Sequence, residues 1–295
     1  MRIAVTGAAG FVGGAICRAA TEAGHEVHPF TRQTWDLTTG PLAEAPVVDA
    51  VVHAGAKVTD WGPAAPIWQT NVDGTDHVMR SFPGARFVYI STASVYNPFA
   101  PTVNATESQA PVARYLTPYA ASKAAAERLL ADHPDAIILR PHAVYGPGDP
   151  TLLPRVLDAI RARTLFIVGN GQTPHTLTSI DNLVAATLLA CDPKSPPGTY
   201  NVGDAAPIPV ETALRAILTE RGLKVRIVHL PLRPLWTIAP VVERLHRLAR
   251  SPKPPRLTRY AISHLAMERT LDLTAARQRL GFRPTPTSFH GAGGW

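Results

Sequence analysis

Apolar positions along the first half of the chain follow two alternating periods. Short β-rich runs lie at Ile3–Thr6, Glu26–Phe30, Ala50–His53 and Arg86–Ile90, and Ala136–Leu139 closes the series. Between them, Phe11–Ala23, Pro66–Phe82 and Pro118–Ala131 carry apolar residues at helical spacing. Gly24 stands where a helix C-terminal glycine belongs. Strands alternating with helices pair in parallel through right-handed crossovers. The prediction is an α/β fold with a Rossmann-type doubly wound parallel sheet, whose ligands meet the carboxyl ends of the strands.

After Tyr145-Gly146-Pro147-Gly148 the pattern loosens. Helices are predicted at Leu152–Ala162, Leu183–Ala190, Val210–Glu220, Trp236–Leu248 and Leu273–Leu280. Strands are predicted at Leu165–Val168, Thr199–Val202 and Val225–His229, among many proline turns. This half reads as a small C-terminal α/β cap. Gly291–Trp295 carries no recognisable pattern.

Composition narrows the class. With 295 residues, 45 % hydrophobic and 17 % charged, the chain can bury a core without disulfides or metals. Its two cysteines, Cys17 and Cys191, lie in helix patterns and read as packing residues. They argue against a disulfide framework and a cysteine zinc site, so no metal is expected. No apolar run is long enough to span a bilayer. The strand-like Arg2–Val5 has no charged-then-apolar leader before it, so a reducing, cytoplasmic setting is the expectation.

Charge divides unevenly. Residues 1–150 hold 10 Lys/Arg against 13 Asp/Glu (net −3), and residues 151–295 hold 19 against 9 (net +10). A basic half suits an anionic substrate, a phosphate-bearing cofactor or a membrane surface, or is simply a solvated face. No nucleic-acid partner is expected, because no helix-turn-helix, zinc or RNP-type signature is present. Within 235–259, Leu235, Ile238, Val242, Leu245 and Leu248 share helical spacing. Arg244, Arg247, Arg250, Lys253, Arg256 and Arg259 accompany them. The segment is either a membrane-surface helix or lid, or a helix packed on its own domain.

The first chemical signal is Thr6-Gly7-Ala8-Ala9-Gly10-Phe11-Val12-Gly13, between a strand and a helix. Gly7 permits the turn, Gly10 lets the backbone approach a pyrophosphate, and Gly13 lets helix and strand pack closely. The helix N-terminus, through the backbone of Ala9 to Val12, offers free N–H groups to the anion. Dinucleotide binding follows from that context. The expected division is an NAD(P)-binding domain over 1–163, completed by part of 178–205, with 164–295 mainly a substrate cap. At the end of the second strand stands Thr31-Arg32 rather than an acidic residue. Arg32 either pairs with a 2′-phosphate, favouring NADP over NAD, or is a solvated surface arginine. Asp36-Leu37 either meets the adenine or forms a turn.

Tyr119 and Lys123 stand four residues apart on one helix face. An ammonium lowers the pKa of a nearby phenol, which then exchanges a proton with an alcohol or carbonyl. Ser91-Thr92 ends the preceding strand and offers a hydroxyl to the substrate oxygen. His142 and His175 are either pocket residues or structural histidines, and Asp181-Asn182 reads as a helix cap.

Taken with His53-Ala54-Gly55-Ala56, Asn71-Val72-Asp73-Gly74-Thr75 and Arg140–Gly148, these motifs resemble the extended short-chain dehydrogenase/reductase family. That family includes nucleotide-sugar epimerases and dehydratases and 3β-hydroxysteroid dehydrogenases, and the resemblance runs from Arg2 to about Phe282. It implies Tyr119 as general acid/base, with Lys123 on the nicotinamide ribose and tuning Tyr119. Thr92, with Ser91 as fallback, would hold the substrate oxygen, and Asn71 would support the active-site helix and its water. Ala54, Gly55 and Ala56 would pass beside the cofactor, and Pro141, Ala143 and Val144 would border the nicotinamide. Family members often dimerise through the helices bearing Asn71 and Tyr119, which implies a homodimer.

Departures narrow the substrate. Ala143 stands where nucleotide-sugar enzymes carry a diphosphate-binding asparagine, and His175-Thr176 replaces their Arg-Asp pair. Asp60-Trp61-Gly62-Pro63 and Arg140–Asp149 instead resemble the branch of hydroxysteroid dehydrogenases and 3-oxoalkanoate reductases. The expectation is an NAD(P)-dependent oxidoreductase acting on a secondary alcohol or ketone of an apolar or amphipathic small molecule. The alternatives are a nucleotide-sugar epimerase/dehydratase and a non-catalytic dinucleotide sensor.

Overall fold

In the computed structural model the first half of the chain begins with β1 (Arg2–Thr6), α1 (Phe11–Glu22), β2 (Glu26–Phe30) and β3 (Ala50–His53). α2 (Ala64–Trp68), a π-helical turn (Gln69–Asp73), α3 (Gly74–Ser81) and β4 (Arg86–Ile90) follow. β5 (Thr102–Ala105), α4 (Pro118–Leu129) and β6 (Ala136–Pro141) complete that half. The second half opens with β7 (Val144–Tyr145), α5 (Leu152–Ala159), β8 (Thr164–Val168), β9 (Pro174–His175) and β10 (Thr178–Ser179). It continues through α6 (Ile180–Cys191), β11 (Gly198–Val202), β12 (Ile208–Pro209), α7 (Val210–Glu220) and β13 (Arg226–Leu230). It ends with α8 (Leu232–Leu248), α9 (Arg259–Ala266), β14 (Arg269–Leu271) and α10 (Thr274–Arg279). The structure describes every residue except Arg250, Pro252 and Arg256. The sequence reading of Arg250 and Arg256 as part of a basic segment therefore lies outside the described residues.

The main sheet has the order β11-β6-β4-β3-β1-β2, and every pairing is parallel. Its inner strands are buried on both faces, which explains their nearly continuous apolar sequences. Ile16 and Ala20 of α1, Leu183 and Ala186 of α6 and Leu280 beyond α10 cover one face. Trp35, Val78, Phe82, Ala126 and Leu130 cover the other. The strand order reverses between β1 and β3, so the ligand crevice of a doubly wound sheet falls at their carboxyl ends. β6 does not end the series, because β11 pairs along its outer edge.

Where 66–82 reads as one helix, the structure has α2 and α3 separated by the π-helical turn. One extra residue per turn shifts the helix face, and Asn71 is buried within it. Apolar periodicity does not reveal such an insertion. The predicted cap at Asp181-Asn182 is also corrected. Ser179 caps α6 by accepting from the Asn182 N–H, while the Asn182 side chain donates to Asp204.

The smaller half is built on a second sheet, β12-β9-β14-β5, to which β5 brings a segment of the first half. A parallel pair, β8 with β13, packs on α5 and α7 through Val156, Leu165, Leu214 and Leu218. Neither β5 nor α9-β14 is legible in the apolar pattern, because these short elements are defined by distant partners. The five apolar positions of 235–248 do not share one side. Leu235 packs inward with Trp236 and Ala239 and Val242 is half-buried, whereas Ile238, Leu245 and Leu248 are exposed, as is the neighbouring Val241. The terminal Gly291–Trp295 is docked, with the Trp295 ring 6.1 Å from Tyr145 and Ala292 buried. Cys191 is buried and Cys17 half-buried. Among the described residues, no helix is long and apolar enough to cross a membrane.

Candidate active site

The glycine turn joins β1 to α1 at the switch in strand order. Gly7 has φ +70°, and a Cβ there would come within 2.8 Å of Gly55. A Cβ on Gly13 would overlap the Gly7 carbonyl, so this contact is also reserved for glycine. Gly10 caps α1 without a side-chain bond, and no acidic residue occupies the first turn. The N–H groups of Phe11, Val12 and Gly13 thus remain available, with Ala9 and Gly10 exposed beside them. The turn fits a pyrophosphate. Across the crevice, the Gly55 N–H donates to Thr6 Oγ1 at 3.1 Å, and Leu37 packs on Gly55, between half-buried Ala54 and Ala56.

Arg32 lies at the end of β2 with 88 % of its side chain exposed, and its Nε donates to Asp36 at 3.2 Å. Asp36 also accepts from the Thr38 N–H and hydroxyl, at 3.0 and 2.8 Å. Those Thr38 bonds, with Arg32 contributing less, hold the carboxyl below its ordinary pKa. These bonds hold Asp36 in the turn that follows β2.

Thr117 caps α4 by accepting from the Ala120 N–H, and Pro118 occupies the first turn. This start sets Tyr119 and Lys123 on the sheet side of the helix. Lys123 is buried, donates to the Ile90 carbonyl at 2.6 Å, and sits 4.1 Å from the Tyr89 ring centroid. Burial pulls its ammonium pKa down to about 7, and Glu127 opposes that shift. Tyr119 is half-buried near Thr92, whose hydroxyl donates to Ser94 Oγ at 3.2 Å and accepts from the Ser94 N–H at 3.1 Å. Burial pushes the Tyr119 phenol well above the usual range, Tyr260 adds to the shift, and the neighbouring Thr92 hydroxyl opposes it. The expected lowering of Tyr119 by Lys123 is therefore not found. The ammonium is engaged by the Ile90 carbonyl and the face of Tyr89.

Ser91 and Thr92 separate cleanly. The Ser91 hydroxyl is buried and donates to Glu127. Glu127 pairs with Arg140 at 2.7 Å, and both side chains are 2 % exposed. The Thr92 hydroxyl stays near Tyr119, bonded to Ser94. Asn71 accepts from the Lys57 N–H at 2.7 Å and donates to the Lys57 carbonyl and to Ser122 on α4. At the end of β6, Pro141 and the following His142 are buried, and Ala143 takes φ +47° before half-buried Val144.

Apolar periodicity misses the far side of the site. A cavity beside Ala93 and Ala120 is walled by Ser94, Leu116, His142, Tyr260, His264 and Arg269. The last three come from α9 and β14. Thr258, which caps α9 by accepting from the Ala261 N–H, was the available signal. His142 stacks on His175 at 5.8 Å and lies 5.7 Å from His264. Burial holds His142 at about pKa 3 and lowers His175 and His264. Of the two histidines singled out in the sequence, both are buried and His142 reaches the cavity.

The fold and its glycine turn define a doubly wound protein built to hold a dinucleotide at the β1–β3 switch. Residues 3–203 match the NAD dependent epimerase/dehydratase family. The chain is 32 % identical over 313 residues to a 2-alkyl-3-oxoalkanoate reductase of Stenotrophomonas maltophilia, covering 96 % of this chain and 95 % of that one. It is 26 % identical over 326 residues to a 3 beta-hydroxysteroid dehydrogenase/Delta 5→4-isomerase of Mycobacterium tuberculosis, covering 97 % and 87 %. UDP-glucuronic acid 4-epimerase from Bacillus cereus in complex with NAD shares the fold, with a TM-score of 0.74 and 21 % identity. That superposition covers 100 % of this chain and 97 % of the epimerase. The protein belongs to the NAD-dependent epimerase/dehydratase family.

Proposed function

We propose that this protein is an NAD(P)-dependent oxidoreductase acting on a secondary alcohol or ketone of an apolar or amphipathic substrate, 3-oxoacyl-like or 3-hydroxysteroid-like. The observation that carries the reading is the Tyr119 phenol next to the Thr92 hydroxyl at the edge of a cavity, with Ser91 withdrawn to Glu127. The names of the relatives support the same chemistry.

A bound nicotinamide dinucleotide would supply or accept the hydride. The backbone of Gly7 to Gly13 would hold its pyrophosphate, Ala54 to Ala56 would flank it, and Pro141, Ala143 and Val144 would border the nicotinamide end. Tyr119 gives its phenolic proton to the ketone oxygen in reduction, and takes a proton from the alcohol in oxidation. Thr92 fixes that oxygen by a hydrogen bond, Lys123 would bind the ribose, and Asn71 positions α4. Residues 1–163 and part of 178–205 form the dinucleotide domain, and the remainder after 164 forms the substrate cap.

The finer features of the reading follow from exposed residues. Arg32 at the end of β2 favours NADP over NAD. Trp68 on α2 and Leu129 on the adjacent α4 are exposed and suit a homodimer contact. The outer side of α8 combines Ile238, Val241, Leu245 and Leu248 with Arg244 and Arg247, which suits an anionic membrane surface. The setting is the cytoplasm.

The test is Tyr119→Phe. Turnover of a 3-oxo acid or 3-hydroxysteroid should fall about 10²–10⁴-fold while dinucleotide affinity holds. Wild-type turnover by that variant would overturn the mechanism.

A further inference from the structure

We infer that the wall of the cavity formed by Arg269 and His142, with His175 behind, is a recognition site for a carboxyl group of the substrate, taken up together with one proton. This inference rests on the cavity being the substrate site of the proposed oxidoreductase.

Two residues that line this wall carry a buried polar atom without a hydrogen-bond partner, His142 Nε2 and Arg269 Nε, with His175 stacked behind His142. Buried polar atoms are ordinarily paired, so two unpaired ones on one cavity wall call for a ligand. Their residues are 5 and 7 % exposed. Register fixes the arrangement, because Arg269 on β14 pairs directly with His175 on β9.

The chemistry of each atom is set by its neighbours. Arg269 Nη1 donates to the carbonyls of Asn97 and Ala100, at 2.9 and 2.8 Å, and Nη2 to that of Pro98 at 3.3 Å. Among the described residues no carboxylate pairs with it, so a cation is buried without a counter-charge. Its Nε–H remains as a free donor. His142 and His175 each have Nδ1 against a backbone carbonyl, of Thr176 at 2.7 Å and of Thr173 at 3.1 Å. A carbonyl requires the proton on Nδ1, which leaves Nε2 of the neutral His142 ring as a bare acceptor, while the His264 backbone also acts on His175.

The wall therefore presents a cationic donor beside an acceptor lone pair. A hydroxyl would leave the guanidinium charge unmatched. A carboxylate alone would face the lone pair of His142. A carboxylate that arrives with one proton from bulk water satisfies both, with one oxygen accepting from Arg269 Nε–H and the other sharing the proton with His142 Nε2. The other groups facing this pair are His264 and Tyr260 from α9, and Glu268, which acts on His175. Glu268 also accepts from the Thr270 hydroxyl.

The experiment compares a freshly prepared 2-alkyl-3-oxo acid with its methyl ester, and separately measures calorimetric binding of decanoate and methyl decanoate to the NADP-loaded protein. The acid should be preferred at least about tenfold, through KM rather than kcat, as a charge-assisted contact predicts. Uptake of one proton makes the acid's KM rise about tenfold per pH unit between pH 6 and 8, with no such slope for the ester. In His142→Leu the acid-to-ester ratio should collapse towards one and the pH slope should vanish. Arg269→Gln should lose the same ratio. Because it also frees the 97–100 loop, its folding is checked by circular dichroism, and His142→Leu carries the test if it misfolds. Equal use of acid and ester by the wild type, with equal binding of decanoate and its ester, would overturn the inference and leave the oxidoreductase reading intact. Preferential binding of decanoate without reduction of any ketone would support the carboxyl site and sink the oxidoreductase reading.

Discussion

The side-chain amide of Asn71 donates to the Ser122 hydroxyl at 2.9 Å, tying the π-helical turn to the helix that carries Tyr119 and Lys123. Ser122 passes the bond on by donating to the Tyr119 carbonyl at 2.8 Å. Both Asn71 and Ser122 are buried, so neither has water as a substitute partner. Asn71→Leu leaves the Lys57 N–H without its acceptor and should destabilise the protein by about 1–3 kcal/mol. It should also lower kcat more than it changes dinucleotide affinity. Steady-state kinetics beside a dinucleotide titration checks this, and an unchanged kcat would separate Asn71 from the site.

Glu127 receives Ser91 and Arg140 in a pair that is closed to solvent. Removing one partner leaves the other charge buried alone. Glu127→Leu should cost about 3–5 kcal/mol in urea unfolding. A loss below about 1 kcal/mol would mean that water enters this network.

Buried histidines set the response to acid, and burial lowers the pKa of His175 and His264 as well as those of His53 and His142. His53 and His142 are each held near pKa 3 by burial, against an ordinary value of 6.5. Between those values the unfolded chain binds more protons than the folded one, so stability rises with pH. It is fully present above about pH 6.5 and is lost as pH falls towards 3. Each histidine contributes at most a few kcal/mol, because a tenfold change in proton affinity corresponds to roughly 1.4 kcal/mol. Thermal melts from pH 7 to 4 should show a falling Tm, and His53→Gln should shallow the slope. A flat profile would place both imidazoles in contact with water.

Arg32 decides the cofactor if its guanidinium leaves Asp36 for a 2′-phosphate. Nicotinamide fluorescence should then report tighter binding of NADPH than of NADH. Arg32→Ala should weaken NADPH about tenfold or more and leave NADH nearly unchanged. Equal affinities in the wild type would make Arg32 a surface residue paired to Asp36.

The outer side of α8 gives a separate expectation. The protein should co-sediment with vesicles rich in anionic lipid at physiological salt, and a Val241→Asp, Leu245→Asp double variant should not. Absence of the wild-type protein from the pellet would remove the membrane contact.

Several parts of this molecule are written locally and could be read from the chain. Alternation of β-rich and helix-periodic segments required a parallel sheet, because consecutive parallel strands need a crossover between them. Glycines at positions 7, 10 and 13 marked a turn where helix and strand touch. Tyr119 and Lys123 share a helix face by spacing alone. Which neighbouring hydroxyl serves the site was not local. Ser91 and Thr92 differ because Glu127, 36 residues away from Ser91, captures one of them. Tyr260, His264 and Arg269 reach the cavity only because β14 pairs with β9 and β5, which lie far back in the sequence. The same holds for Lys123, whose ammonium is directed by the Ile90 carbonyl rather than by Tyr119. Periodicity reports which side of an element faces the core, so the sequence determined the sheet, the turn and the active-site helix. Long-range register and burial choose the partner of each polar group, and only the tertiary structure decided those.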